Sequence, residues 1–222
     1  MSIDRLQPGR REQAKQDKRA RIMAAAHELF AAHGVGGVTT QQIADRADVA
    51  IGTLFLYAAS KAELLIMVQN QKFAAAIDEG LSRAATTPAA GPLEAVMALI
   101  NPVVARLREQ VENGRTYLHE LVFGDPTEPY RREGLALAAR LEAGIAALLE
   151  RDHIVTIVNA AALARVVTAT MHISTTATIY LQRSDEGVLD DIRAQLCAVF
   201  DHPHTGARPA PQHRPTEGDP HE

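Results

Sequence analysis

The 222-residue chain has a single cysteine, Cys197, no tryptophan and only 4% aromatic residues. One thiol excludes an intrachain disulfide and any site built from several cysteines. It suits a reducing compartment, so the cytoplasm is the expected location. The polar N-terminus has no apolar run behind it, which argues against a secretory leader. Long apolar runs are missing elsewhere too. The most apolar stretch, near Val166–Leu181, follows Arg165 and is broken by Thr, Ser and His172. A membrane span needs about 20 mostly apolar residues, so a buried helix is expected there and no membrane partner. No phosphate-binding glycine loop, nucleophile elbow or paired cysteine occurs. His119-Glu120 opens like a zinc-protease motif, but residue 123 is Phe, so the second histidine is missing. Neither an enzyme, nor a cofactor, nor a metal site is expected. The histidines His202, His204, His213 and His221 have nothing nearby to set a metal geometry.

What the chain does have is helix-forming residues: 46% are hydrophobic, with many Ala and Leu, and strand-like alternation is absent. An all-α fold of about nine helices is expected. The net charge of −4 hides an asymmetry, because residues 1–61 carry nine Lys/Arg against six Asp/Glu. A basic head on an acidic body suggests that only the head meets a polyanion. Residues 1–16 read as a disordered basic arm and 203–222 as a disordered tail rich in Pro and His. Between them, 17–61 reads as the head and 62–202 as a helical body. The first helix ends at Gly34, and others start at Thr39, Ala50 and Ser60. Asn101-Pro102 is expected to interrupt or kink a fifth helix that Asn113-Gly114 ends. An eighth helix is expected over Thr156–Arg183 and a ninth over Val188–Asp201.

The informative segment runs from Val38 to Leu54. Thr39 followed by Gln42 forms a capping box, and Val38 with Ile43 a hydrophobic staple. Ala44 is small enough for two short helices to cross closely. Ile43, Ala47, Val49 and Leu54 can form a miniature core that leaves the outer face of the third helix free for a DNA major groove. Asp48 stands where such a turn prefers Gly, and Asp tolerates the left-handed conformation better than most residues. Ser60 with Glu63 makes a second capping box.

The ordered set Thr39-Thr40-Gln41-Gln42-Ile43-Ala44, Ala47-Asp48-Val49, Gly52-Thr53-Leu54-Phe55 and Ser60-Lys61-Ala62-Glu63-Leu64-Leu65 resembles the signature of the TetR family of transcriptional regulators. The close resemblance covers about Arg21–Leu65. It implies a helix-turn-helix head, a helical ligand-binding and dimerising body, and a repressor that reads a near-palindromic operator. Departures are Asp48 for Gly, Ala50 for a capping residue, Phe55 for Tyr, Tyr57 for His and Ala58 for Phe. The resemblance implies phosphate contacts at Thr40, Tyr57 and Lys61, with Thr39 beside them at the helix start. Thr40 lies among free helix amides, which attract an anion. Gln41, Ile51, Gly52, Thr53 and Phe55 are the candidate base readers, by hydrogen bond, methyl contact and close backbone approach. Arg10, Arg11, Lys15, Lys18, Arg19 and Arg21 add sequence-independent attraction.

In the body, Leu189, Ile192, Leu196 and Val199 make a stripe suited either to a homodimer through the last two helices or to the core of the chain itself. Candidate residues for a small-molecule effector are Met97, Asn101, Tyr117, His119, Phe123, Met171, His172 and Thr175. A DNA binder without effector and a helical interaction protein are the competing readings.

Overall fold

The computed structural model describes residues 9–86, 91–151 and 157–200. The proposed arm's residues 1–8 and the tail 203–222 lie outside them. The described residues are helical and contain no strand. The order is α1 (Arg10–His33), α2 (Thr40–Arg46), α3 (Ile51–Leu54), α4 (Lys61–Ala85), α5 (Gly91–Arg108), α6 (Val111–Phe123), α7 (Pro129–Glu150), α8 (Ile157–Thr176) and α9 (Asp185–Phe200). A 3-10 turn at Thr178–Tyr180 separates α8 from α9, where an uninterrupted helix to Arg183 was expected.

Two cores divide the molecule. Ile22, Ala26 and Phe30 of α1 fall on one face and meet Val38, Ile43, Ala44, Leu54, Leu64 and Leu65 in the head. The body core gathers Phe73, Ile77, Leu99, Ile100, Val103, Tyr117, Ile145, Val167 and Ile192 from α4 to α9. The long α4 serves both: Met67 and Val68 pack in the head, and Ile66 and Phe73 in the body. Head and body therefore share a helix with no linker between them. At the α4–α5 crossing Gly80 lets two backbones touch, since a Cβ there would stand 2.2 Å from the Leu99 carbonyl oxygen.

Four expectations are corrected here. Residues 10–16 are helical and form the start of α1, because Arg, Glu, Gln, Ala and Lys are strong helix formers. Pro102 sits inside an α5 that continues to Arg108. An interior proline costs roughly 3 kcal/mol, and the buried face of Val96, Leu99, Ile100, Val103 and Val104 offsets it. Asn113-Gly114 lies within α6: Gln110 caps that helix by accepting from the Asn113 amide at 3.1 Å. Gly114 is there for closeness, since a Cβ would come within 1.9 Å of the Leu107 carbonyl oxygen. Finally, Ile192 and Leu196 are fully buried in the body core, with Leu189 and Val199 packed against it, so that stripe holds α9 to its own subunit.

The head is also latched to the body through side chains. The buried Asn113 amide donates to the Phe30 carbonyl at 2.7 Å and accepts from the Val35 amide at 2.7 Å. Glu112 accepts from the Gly36 amide at 2.8 Å. Farther along, the buried Tyr117 hydroxyl donates to Asn70 (2.9 Å), whose amide donates to the Tyr130 carbonyl (2.9 Å). Burial and the Glu133 carboxylate push the Tyr117 phenol well above its ordinary range, so it stays a donor.

Candidate nucleic-acid interface

The head presents α2 and α3 at its outer end, and its local construction follows from the sequence. Thr39 caps α2: its Oγ1 accepts from the Gln42 amide at 3.2 Å, and Gln42 Oε1 accepts from the Thr39 amide at 2.8 Å. Both halves of the capping box are present, and such a cap contributes about 1 kcal/mol. The turn after α2 is a Schellman motif. The Val49 amide donates to the Ala44 carbonyl at 3.0 Å and the Asp48 amide to the Asp45 carbonyl at 3.1 Å. Its left-handed position is Asp48, with φ +52; a non-glycine residue there costs roughly 1 kcal/mol. The second capping box is altered. Ser60 accepts from the Glu63 amide at 3.0 Å, but Glu63 reaches past it to the Ala59 amide at 2.6 Å.

The expected contact residues divide by exposure. Gln41, Gly52 and Phe55 are exposed, while Thr40, Ile51, Thr53 and Tyr57 are half-buried. Ile51 also packs on the head core. Nothing lies within 4 Å of where a Gly52 Cβ would be, so the face of α3 is open at that point. Gln41 donates from Nε2 to Asp45 at 2.7 Å. The Tyr57 hydroxyl donates to the Lys15 carbonyl at 3.2 Å. Lys61 Nζ donates to the Val35 carbonyl at 2.8 Å and the Val38 carbonyl at 3.0 Å. Its ammonium therefore satisfies the loop before α2 with two of its three protons. This explains a cation at a helix start, where the dipole disfavours it.

Some residues at this end were not expected. Leu56 is, among the described residues, the most exposed large apolar side chain, at 83%, and follows Phe55 where the helical stripe has already ended. Arg19 stacks over Tyr130 of α7, 5.7 Å from the ring centroid. With Lys15, Gln16, Leu56 and Tyr57 these two line a groove of about 360 Å³ between α1, the α3–α4 turn and α7. Arg10, Arg11, Lys15, Lys18 and Arg19 are all exposed along the first turns of α1. Their helical setting makes them a fixed basic ridge beside α3. Nearby, Glu128 accepts from the Ser60 hydroxyl at 3.2 Å. Burial, with Glu63, Asp125 and Glu120 around it, raises its carboxyl above the usual range.

Sequence comparison bears on this same segment. A family model described as "Bacterial regulatory proteins, tetR family" matches residues 22–68, which is the capped, Schellman-turned head just described. The match to the TetR family covers this head segment. The HTH-type transcriptional repressor KstR of Rhodococcus jostii (strain RHA1) is 33% identical over 95 residues, 43% of either chain. The Mycobacterium tuberculosis KstR is 36% identical over 77 residues, 35% of this chain and 34% of its own. The chain thus spans less than half the length of the curated relatives it matches. At the level of fold the likeness is longer. Thermus thermophilus FadR, a TetR-family repressor solved in complex with lauroyl-CoA, has a TM-score of 0.63 at 22% identity, covering 87% of this chain and 98% of that one. A TetR transcriptional regulator from Rhodococcus sp. RHA1 has a TM-score of 0.60 at 18% identity, covering 84% and 97%.

The helical body carries the expected effector residues in two settings. Met97, Tyr117, Met171 and Thr175 are buried, and Asn101 and His172 are half-buried. Burial lowers the His172 pKa, which keeps its ring neutral. Asn101 and Pro102 line a groove of about 330 Å³ shared by α4, α5 and α9, and Asn101 Oδ1 is buried without a hydrogen-bond partner. His119 and Phe123 are the corrections. His119 is exposed, as is Phe123 at 72%. They stack on each other at 5.0 Å on the outer face of α6, because the inner face is taken by Tyr117, Leu118 and Leu121.

Proposed function

We propose that this chain is a cytoplasmic transcriptional repressor that binds a near-palindromic duplex as a homodimer and is released by a small-molecule effector. The observation that carries the reading is the open outer face of the head. Gly52, Phe55 and Leu56 are exposed there, Thr40 lies in the first turn of α2, and a basic ridge runs alongside. The readers on α3 are mostly apolar, so methyl contacts and DNA shape carry much of the specificity. Selection from random duplex DNA should return a palindrome whose half-sites lie roughly 34–36 Å apart or somewhat more. A pool that stays random after repeated selection would reject the reading.

Lys61 provides a narrower test. Lys61→Met keeps the stem and removes the charge. It should weaken every duplex alike and lower the salt slope by about one unit per head. Weakened binding at an unchanged slope would assign Lys61 wholly to the Val35 and Val38 carbonyls.

The effector reading rests on the body. Its buried candidates Met97, Tyr117, Met171 and Thr175 are neutral, and His172 is held neutral, so an apolar molecule with a polar end is the class that fits. The Thermus thermophilus FadR complex with lauroyl-CoA supports small-molecule control in this fold. Coupling of about 1–3 kcal/mol is expected, and it must be reciprocal. In calorimetry, operator should weaken effector binding by the same factor that effector weakens operator binding. A ligand that fills the body with operator affinity unchanged is not the inducer.

A further inference from the structure

The recognition helix α3 is poorly supported by its own sequence. It spans only Ile51–Leu54, and its N-cap, Ala50, makes no side-chain hydrogen bond. The turn before it holds Asp48 at φ +52, in a place that glycine would occupy without strain. Both features should leave α3 loosely aimed. Arg21 of α1 answers both. Its Nη1 donates to the Asp48 carbonyl oxygen at 3.1 Å and to Asp48 Oδ2 at 3.2 Å. A second tie, Arg46 to Glu28 at 2.7 Å, fastens the last turn of α2 to the same face of α1. The two ties flank a groove lined by Arg21, Ala24, Ala25, Glu28, Arg46, Ala47 and Asp48.

We infer that Arg21 is a positioning residue: it clamps the strained Asp48 turn to α1 and thereby sets the angle at which α3 meets DNA. The charge attraction is not what matters, since the Asp48 side chain is 97% exposed and Arg21 45%, and exposed pairs contribute little. The bond to the carbonyl matters, because together with the Val49 amide's bond to Ala44 it fixes both sides of the Asp48–Val49 peptide that leads into α3. A glycine at this position would rest in the left-handed conformation unaided, so the clamp is needed only because the residue is Asp.

This rests on the duplex-binding reading, and the test separates the two. R21A, D48G, D48N and the double variant R21A/D48G are compared with the wild-type dimer on selected operator, between about 50 and 200 mM salt. Melting curves check the fold. R21A should bind about tenfold more weakly, about threefold per head, with an unchanged salt slope. D48N, which keeps an acceptor and tolerates the turn, should stay near wild type. D48G should also, and R21A should cost less than about twofold once D48G is present. A salt slope lowered by one unit per head would make Arg21 a phosphate contact instead. An equal loss with and without D48G would reject the clamp. Amide hydrogen exchange of the free protein gives a DNA-independent reading. R21A should speed exchange at Val49 and across α3, and R21A/D48G should restore protection. Unchanged exchange in R21A overturns the clamp whether or not any duplex is ever bound.

Discussion

For the proposed homodimer, Val166→Asp with Ile173→Asp should give folded monomers, whereas Leu196→Arg should strongly destabilise the fold of the subunit itself. The two outcomes separate the outer and inner faces of the last two helices. On α8, Ala162, Val166, Ala169 and Ile173 are exposed and follow one another at four, three and four residues, which is a single helical stripe. Val166 is 40% and Ile173 58% exposed. Ala194 and Ala198 are exposed on α9. Small and branched apolar residues on long exposed helices suit close packing against a second copy. In the proposed dimer, two carboxylates there would be buried against a second copy and oppose association. Leu196 points the other way, fully buried in the body core. Arginine there is an unpaired buried charge, costing roughly 4 kcal/mol or more against a total stability of about 5–15 kcal/mol. Light scattering and circular dichroism read both results. A Val166/Ile173 variant that remains dimeric at micromolar concentration would place the interface elsewhere.

Asn113→Ala should produce the largest loss of stability among single changes outside the apolar cores. The side chain is 4% exposed and bonds two backbone groups of the head at once, the Phe30 carbonyl and the Val35 amide. Truncation leaves the buried Val35 amide unpaired and the Phe30 carbonyl with the Gly34 amide alone, for about 2–4 kcal/mol in all. In a chain of this size that lowers Tm by roughly 5–15 °C. Operator binding should weaken as well, because the loop held by Asn113 leads directly into Thr39 and α2. Asn113→Asp sharpens the test. Its carboxylate can accept from Val35 but faces the Phe30 carbonyl, with Glu112 beside it. Its folded pKa should therefore rise, so the variant binds more protons when native and gains stability as pH falls toward that pKa. A melt of Asn113→Asp that is independent of pH, or an Asn113→Ala within about 0.5 kcal/mol of wild type, would mean that the latch contributes little.

The head was largely legible because its signals are local. Thr39 and Gln42 are three residues apart, Val38 and Ile43 five, and the turn strain falls on one residue, Asp48. Each is a short-range contact whose geometry one helix turn defines. The body was less legible for the same reason inverted. Leu189, Ile192, Leu196 and Val199 show that α9 has an apolar face, but periodicity cannot say whether that face meets α5 and α8 of its own chain or another subunit. His119 and Phe123 lie on the side of α6 opposite Tyr117, Leu118 and Leu121, a division that helical spacing already carries and that selection by residue type alone passed over. Asn113-Gly114 reads as a helix end in isolation. It becomes a helix interior because Leu107 lies against Gly114 and the head supplies partners for Asn113.

Helical composition, the capped helix-turn-helix and the basic head on an acidic body can all be read along the chain, since composition, capping and charge are properties of neighbouring residues. It takes the packed helices to show that Lys61 serves two loop carbonyls, that Tyr57 and Gln41 already have partners, that Asn113 and Glu112 fasten body to head, and that Arg21 reaches Asp48. Each of these joins residues or helices whose meeting depends on how whole helices cross, which side-chain volume and backbone closeness at sites such as Gly80 and Gly114 settle.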